Sequence, residues 1–248
     1  MAVESEGIQR RGGSRRSWGG LVLVQCVCLL ALAATSALTV RMGWGMQPVA
    51  AAVLVSIVVF LVFWPLRGTV VDRVLSFVVG VLAVGFAATS LGDLTFYPRL
   101  TSREMSLGGL NVAMYPYARW ASAFVILLVA ITIVGFARQM AREERSHLVR
   151  SLSHSMLSAV ACASAAGWTF LPRMLSQWRG RPGSVAILCI VIGLGFVLAL
   201  IAASYLWWRE EDSDPSVRAP WVGFALLPVL LSGLVAYGCS LALTLLMA

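Results

Sequence analysis

About seven separate hydrophobic stretches of bilayer-crossing length run through this chain of 248 residues. Lipid offers no partners for backbone N–H and C=O groups. A crossing segment must therefore satisfy them internally, as a helix of about 20 apolar residues or within a closed barrel. Runs of this length select helices. The expected spans are 21–40, 48–66, 74–92, 120–137, 152–171, 184–207 and 221–246, the last carrying Pro228 as a kink point. The fold expected is all-α: a polytopic transmembrane helix bundle of about seven spans with its N-terminus inside.

Composition agrees. Hydrophobic residues make up 59% and charged residues only 12% of the chain, against roughly a quarter charged in a soluble domain. Mean hydropathy is +0.86. All 19 basic residues are arginine and none is lysine. Retinal binding through a Schiff base needs a lysine, so the chain resembles a microbial rhodopsin in span count only. A phosphate-binding P-loop fails on the same ground. The arginine bias fits a GC-rich bacterial genome, and hence a multi-pass protein of a bacterial plasma membrane. A pI near 9.9 reflects arginines flanking the spans, where they snorkel to headgroups and set orientation, rather than a nucleic-acid partner. With the N-terminus inside, 12 arginines fall on the inner side and 7 on the outer. The four in the N-terminal tail carry most of that difference.

Residues 1–19 read as a disordered, basic cytoplasmic tail, and 20–248 as the helical bundle. Ser14-Arg15-Arg16 before an apolar run has a trace of a twin-arginine export signal, but six further spans make a retained first helix the better reading. The five cysteines, Cys26, Cys28, Cys162, Cys189 and Cys239, all fall in spans at spacings that form neither a redox pair nor a zinc site. Two histidines, His147 and His154, close together in sequence, supply no haem pair across a bundle and no histidine-dependent triad. No cofactor is expected. The fifth span is the expected centre of the bundle. Ser155, Ala159, Ala163 and Gly167 recur every fourth residue, with Ser158, Cys162 and Ala166 beside them, and small residues let backbones approach closely. A shorter version appears in the third span at Ala88 and Gly92.

Buried charge usually marks a pathway or proton relay in a membrane protein. No Asp, Glu, Arg or His lies in the middle third of any expected span, which argues against a proton pump, a carboxylate-based exchanger and a voltage sensor. Chemistry is therefore sought at the rims. At the outer boundary of the third and fourth spans, Asp93 ends one helix and Arg119 begins the next. Each opposes its helix dipole by about 0.3–1 kcal/mol. Facing each other, or a phosphate on Arg119, would relieve the mismatch. A capping box at Thr101-Ser102-Arg103-Glu104 predicts a short helix between them, ending at Gly108-Gly109. The candidate ligand site is an outward-facing cup: Asp93, Arg99, Arg103, Tyr115, Tyr117, Arg119 and Trp120, with Tyr97 nearby. Arginine's planar fork suits phosphate or carboxylate. An aromatic belt with snorkelling arginines explains the same residues without a ligand. A second outer cluster comprises Arg173, Gln177, Trp178, Arg179 and Arg181.

On the inner side, residues 138–151 read as a charged extension of the fourth span. Arg142, Glu143, Glu144, Arg145 and Arg150 make it either a solvated connector or a docking helix for a soluble or membrane protein partner. Its adjacent glutamates and nearby His147 resemble the ligand sets of intramembrane proteases, but no later span supplies a distant histidine. Three readings follow. The favoured one is a non-catalytic, permease-like or transport-associated subunit handling an anionic or amphiphilic ligand. The others are a membrane enzyme of lipid or envelope biosynthesis using Asp93 or Glu104 as base, and a structural subunit of a larger complex in which lipids and neighbouring chains are the partners.

Overall fold

The computed structural model describes residues 18–64, 66, 69–89, 114–141, 148–180, 183–210 and 219–247. Every regular element among these residues is helical. In chain order they are α1 (Trp18–Met42), α2 (Gln47–Val62), α3 (Val70–Ala88), α4 (Tyr115–Met140), α5 (Leu148–Ala165), a 3₁₀ segment (Ala166–Phe170), α6 (Leu171–Gly180), α7 (Ser184–Glu210) and α8 (Pro220–Met247). Six stretches are long and apolar enough to cross a membrane: Gly19–Met42, Val70–Ala88, Tyr115–Arg138, Leu152–Trp178, Ile187–Trp207 and Pro220–Leu246. The protein is a multi-pass membrane helix bundle.

The second expected span is shorter as a helix than as an apolar run. Helix α2 has 16 residues, about 24 Å at 1.5 Å per residue, against a hydrocarbon core of about 30 Å. Contacts elsewhere establish that it nevertheless joins opposite ends of the bundle. Gly20 at the start of α1 lies against Trp221 at the start of α8, whereas Tyr117 at the start of α4 bonds Ser240 near the end of α8. Arg138 at the end of α4 pairs with Asp72 at the start of α3. So α1, α3 and α8 all begin at one end, here called the Asp72 end. Helix α1 finishes at the other, the Tyr117 end, and α2 must carry the chain back. The remaining rise falls to the connector after α2, where Trp64 and Leu66 are buried and Trp64 meets Phe60 edge-on at 4.9 Å.

Local chemistry explains the boundaries. Helix α1 stops at Gly43, whose φ of +67° suits a residue without a Cβ, and the Trp44 N–H then donates back to the Thr39 carbonyl at 3.1 Å. Pro48 sits in the first turn of α2, where its missing N–H is no loss. Helix α3 opens with a reciprocal capping box between Thr69 and Asp72.

The fifth span lies at the centre, as its small-residue stripe predicts. In the apolar 18-residue stretch of Leu152–Trp178, 72% of residues are buried, against 11% in that of Ile187–Trp207. Here α5 does not continue smoothly: Ala166–Phe170 tightens into 3₁₀ geometry before α6 begins. The interruption coincides with the tightest glycine contact among the described residues. A Cβ on Gly167 would lie 2.0 Å from the Gly233 carbonyl oxygen, and one on Gly233 would lie 2.1 Å from that of Ser164. The two segments therefore cross backbone to backbone, and only glycine fits at either position. The close face of α3 is not the expected Ala88 and Gly92 pair. It is formed by Ser76, Gly80, Ala83 and Ala87, with Gly80 against Cys162 and Ile57; Ala88 is only half-buried and Gly92 lies outside the described residues.

Candidate functional site

At the Tyr117 end, three segments converge: the first turns of α4, the 3₁₀ segment with α6, and the last turns of α8. Tyr117 and Trp120 are each 1% exposed, so they form the floor of this end and not the wall of an open cup. Tyr117 stacks on Phe170 with ring centroids 5.1 Å apart, and Trp120 lies 4.4 Å from the Tyr237 ring. Phe170 meets Tyr237 edge-on at 5.2 Å. Such pairs contribute roughly 0.5–1.5 kcal/mol each beyond their buried area.

The hydroxyls in this cluster form a connected network. Gln177 Nε2 donates to Thr244 Oγ1 at 3.0 Å, and the single Thr244 proton has the Ser240 carbonyl at 2.9 Å and the Tyr117 hydroxyl at 3.0 Å as acceptors. Tyr117 and Ser240 hydroxyls are 2.7 Å apart, and either can donate to the other. Ser240 also has the Phe170 carbonyl as an acceptor at 3.3 Å. Tyr237 closes the cluster by donating to the Tyr117 carbonyl at 3.1 Å. Connected hydroxyl networks strengthen their own bonds where the dielectric is low. Above the floor, the Arg173 guanidinium stands 5.7 Å from the Tyr117 ring centroid, and Arg119 stands 6.0 Å from that of Tyr115. Both are cation–π distances.

The two outer clusters expected from the sequence thus share one cluster through Tyr117, Trp120, Arg173 and Gln177. Tyr115 and Arg119 sit beside it, half-buried. Trp178 is 36% exposed on the outside of α6 and is not drawn in. Arg179 and Arg150 lie on α6 and α5, with side chains outside the described residues, as are Tyr97, Asp93, Arg99, Arg103, Glu104 and Arg181. The docking residues Arg142, Glu143, Glu144 and Arg145 lie outside them too.

No family model, curated protein or solved structure matches this chain. Its chemistry must be read from its own residues.

Three groupings are not evident from the sequence. The first is the face of α8 formed by Tyr237, Ser240 and Thr244, whose spacing of three and four places hydroxyls on one side of an apolar helix. The second is a polar pair within the bundle: Gln25 of α1, fully buried, donates from Nε2 to Ser204 of α7 at 2.8 Å. The third lies at the Asp72 end. Arg138 of α4 donates to Asp72 Oδ1 and, at 3.2 Å, to the Thr69 hydroxyl. Asp72 Oδ2 accepts from the Thr69 backbone N–H at 2.9 Å. The Thr69-Val70-Val71-Asp72 box before an apolar run was the available signal for this group. Among the described residues, no three His, Cys, Asp or Glu side chains converge as a metal site.

Proposed function

We propose that this multi-pass protein is a non-catalytic, permease-like or transport-associated subunit of a bacterial plasma membrane. Its Tyr117 end, facing outward if the N-terminus is inside, would engage an anionic or amphiphilic molecule through Arg119 and Arg173. The observation that carries this reading is Arg173 held over Tyr117, whose hydroxyl chain runs to Phe170 at the interruption of the central helix. Broken helices at mid-bundle are a common means of bringing backbone dipoles and movable joints to a substrate path. Arginine's flat, weakly hydrated cation suits a phosphate or carboxylate headgroup better than a point charge would.

The test is thermal unfolding of the detergent-solubilised full chain with added phosphatidylglycerol or phosphatidylcholine. The anionic lipid should raise the unfolding temperature and the zwitterionic one should not. Arg119→Ala with Arg173→Ala should abolish the difference, while Arg41→Ala, at the end of α1, should preserve it. Equal losses in both chains would remove the assignment. The 138–151 segment is proposed in addition as a docking helix for a soluble partner. Site-specific crosslinkers between residues 142 and 150 should then capture one partner stoichiometrically in mild detergent, and a chain crosslinking to nothing would end that proposal.

A further inference from the structure

A narrow cleft opens at the Asp72 end between α3, α4 and α5, lined by Asp72, Ser76, Arg138, Ser155 and Gly135 among others. It is wide enough for roughly a single water molecule. Its wall is closely packed at position 135: a Cβ there would lie 3.2 Å from Leu152 Cδ1. Its floor is polar. Ser76 and Ser158 face each other across α3 and α5 at 2.7 Å, and each has its own helix carbonyl to donate to, Asp72 at 2.9 Å and Ser155 at 2.9 Å. Their oxygens therefore keep acceptor capacity for a further donor. Ser158 is itself buried behind Ser76.

The ion pair across the mouth is built to separate. Asp72 uses Oδ2 for the Thr69 capping box and only Oδ1 for Arg138, so losing the arginine leaves its carboxylate still bonded. Arg138 lies in the last turn of α4, where the helix dipole favours a cation with or without a partner. The side chains are 30% and 15% exposed, within reach of water. A buried, mutually dependent pair would resist opening; this one does not depend on itself.

We propose that the Asp72–Arg138 pair is a latch that closes a water-sized, hydroxyl-lined cleft at the Asp72 end of the bundle. The inference is independent of the arginine site at the Tyr117 end. Ser155→Cys in the full chain, held in lipid nanodiscs, reports on the cleft through its modification rate by a charged thiol reagent, resolved from the five native cysteines by peptide mass. Adding Arg138→Gln, which spares the capping box, should raise that rate about five-fold, the population shift expected from losing a partly exposed ion pair. Arg138→Lys should keep the slow rate. Ser176→Cys, exposed on α6 at the opposite end, should react equally in all three backgrounds. An unchanged Ser155→Cys rate in Arg138→Gln overturns the latch. So does a parallel rise at Ser176→Cys, which marks general loosening, or an Arg138→Lys chain as fast as Arg138→Gln, because charge would not then hold the cleft shut.

Discussion

At the scale of single residues, the tightest constraint is the Gly167–Gly233 crossing. An added methyl group on either side would land far inside van der Waals contact distance of a backbone oxygen, at 2.0 or 2.1 Å, and neither backbone can yield without moving a whole helix. Gly167→Ala should therefore lower stability by about 3 kcal/mol or more, at or beyond the upper end of ordinary overpacking. Gly195→Ala, on an open face of α7 with nothing nearby, should be neutral or slightly stabilising, since alanine is the better helix former. Thermal unfolding in detergent compares the two, and similar midpoints would contradict the crossing. Tyr117→Phe tests the hydroxyl chain in the same assay. It strips a partner from Ser240 and Thr244, though each keeps a carbonyl acceptor. A loss of about 1 kcal/mol is expected, the net value of one hydrogen bond, rather than the larger penalty of an orphaned group.

Elements divide by how their sequence encodes them. Spans of 19 residues or more announce themselves by length alone, and six of the expected seven appear as such helices. The centre of the bundle was equally legible, because Ser155, Ala159, Ala163 and Gly167 can share one helical face only if another backbone comes close. The 3₁₀ interruption left one signal, Pro172, two residues beyond Ala166-Gly167-Trp168-Thr169-Phe170. Proline has no N–H for the Trp168 carbonyl four residues back and its ring crowds that carbonyl, so the Leu171 N–H takes it instead in 3₁₀ register. Tertiary contacts add to this local cause: the crossing with α8, and the Trp168 indole donating to the Val229 carbonyl at 3.0 Å. The cluster at the Tyr117 end was legible in half of its residues for a related reason. Arginine and aromatic residues stand out near span ends, whereas Ser240 and Thr244 look like ordinary helix hydroxyls until Tyr117 is brought to them. If the Trp168 bond helps hold the 3₁₀ turn, Trp168→Phe should weaken the bundle by about 1–3 kcal/mol beyond the change in ring size. Amide exchange at 166–170 should accelerate relative to α8. Unchanged protection would assign the turn to Pro172 and the glycine crossing.

For the molecule as a whole, the decisive question is the number of crossings, because parity fixes which face each site occupies. Six helices alone would return the chain to its starting side. The end-to-end contacts of α1, α3, α4 and α8 require α2 to traverse as well, despite its 16 residues. A helix of about 24 Å in a core of about 30 Å is accommodated by local thinning or by the apolar connector that follows it, at a fraction of a kcal/mol per Å. That connector can complete the crossing because Trp64 and Leu66 are 3% and 4% exposed. The depth that α2 does not reach is thus filled by packed side chains rather than bare backbone. Reporters fused ahead of Trp18 and after Met247, one active only in the cytoplasm and one only outside, should therefore give opposite readings. Fusions in the α2–α3 connector should agree with the N-terminal reporter. Matching readings at the two ends would make α2 a re-entrant element, place both chain ends on one face, and separate the arginine-topped Tyr117 cluster from the side on which the arginine bias puts it.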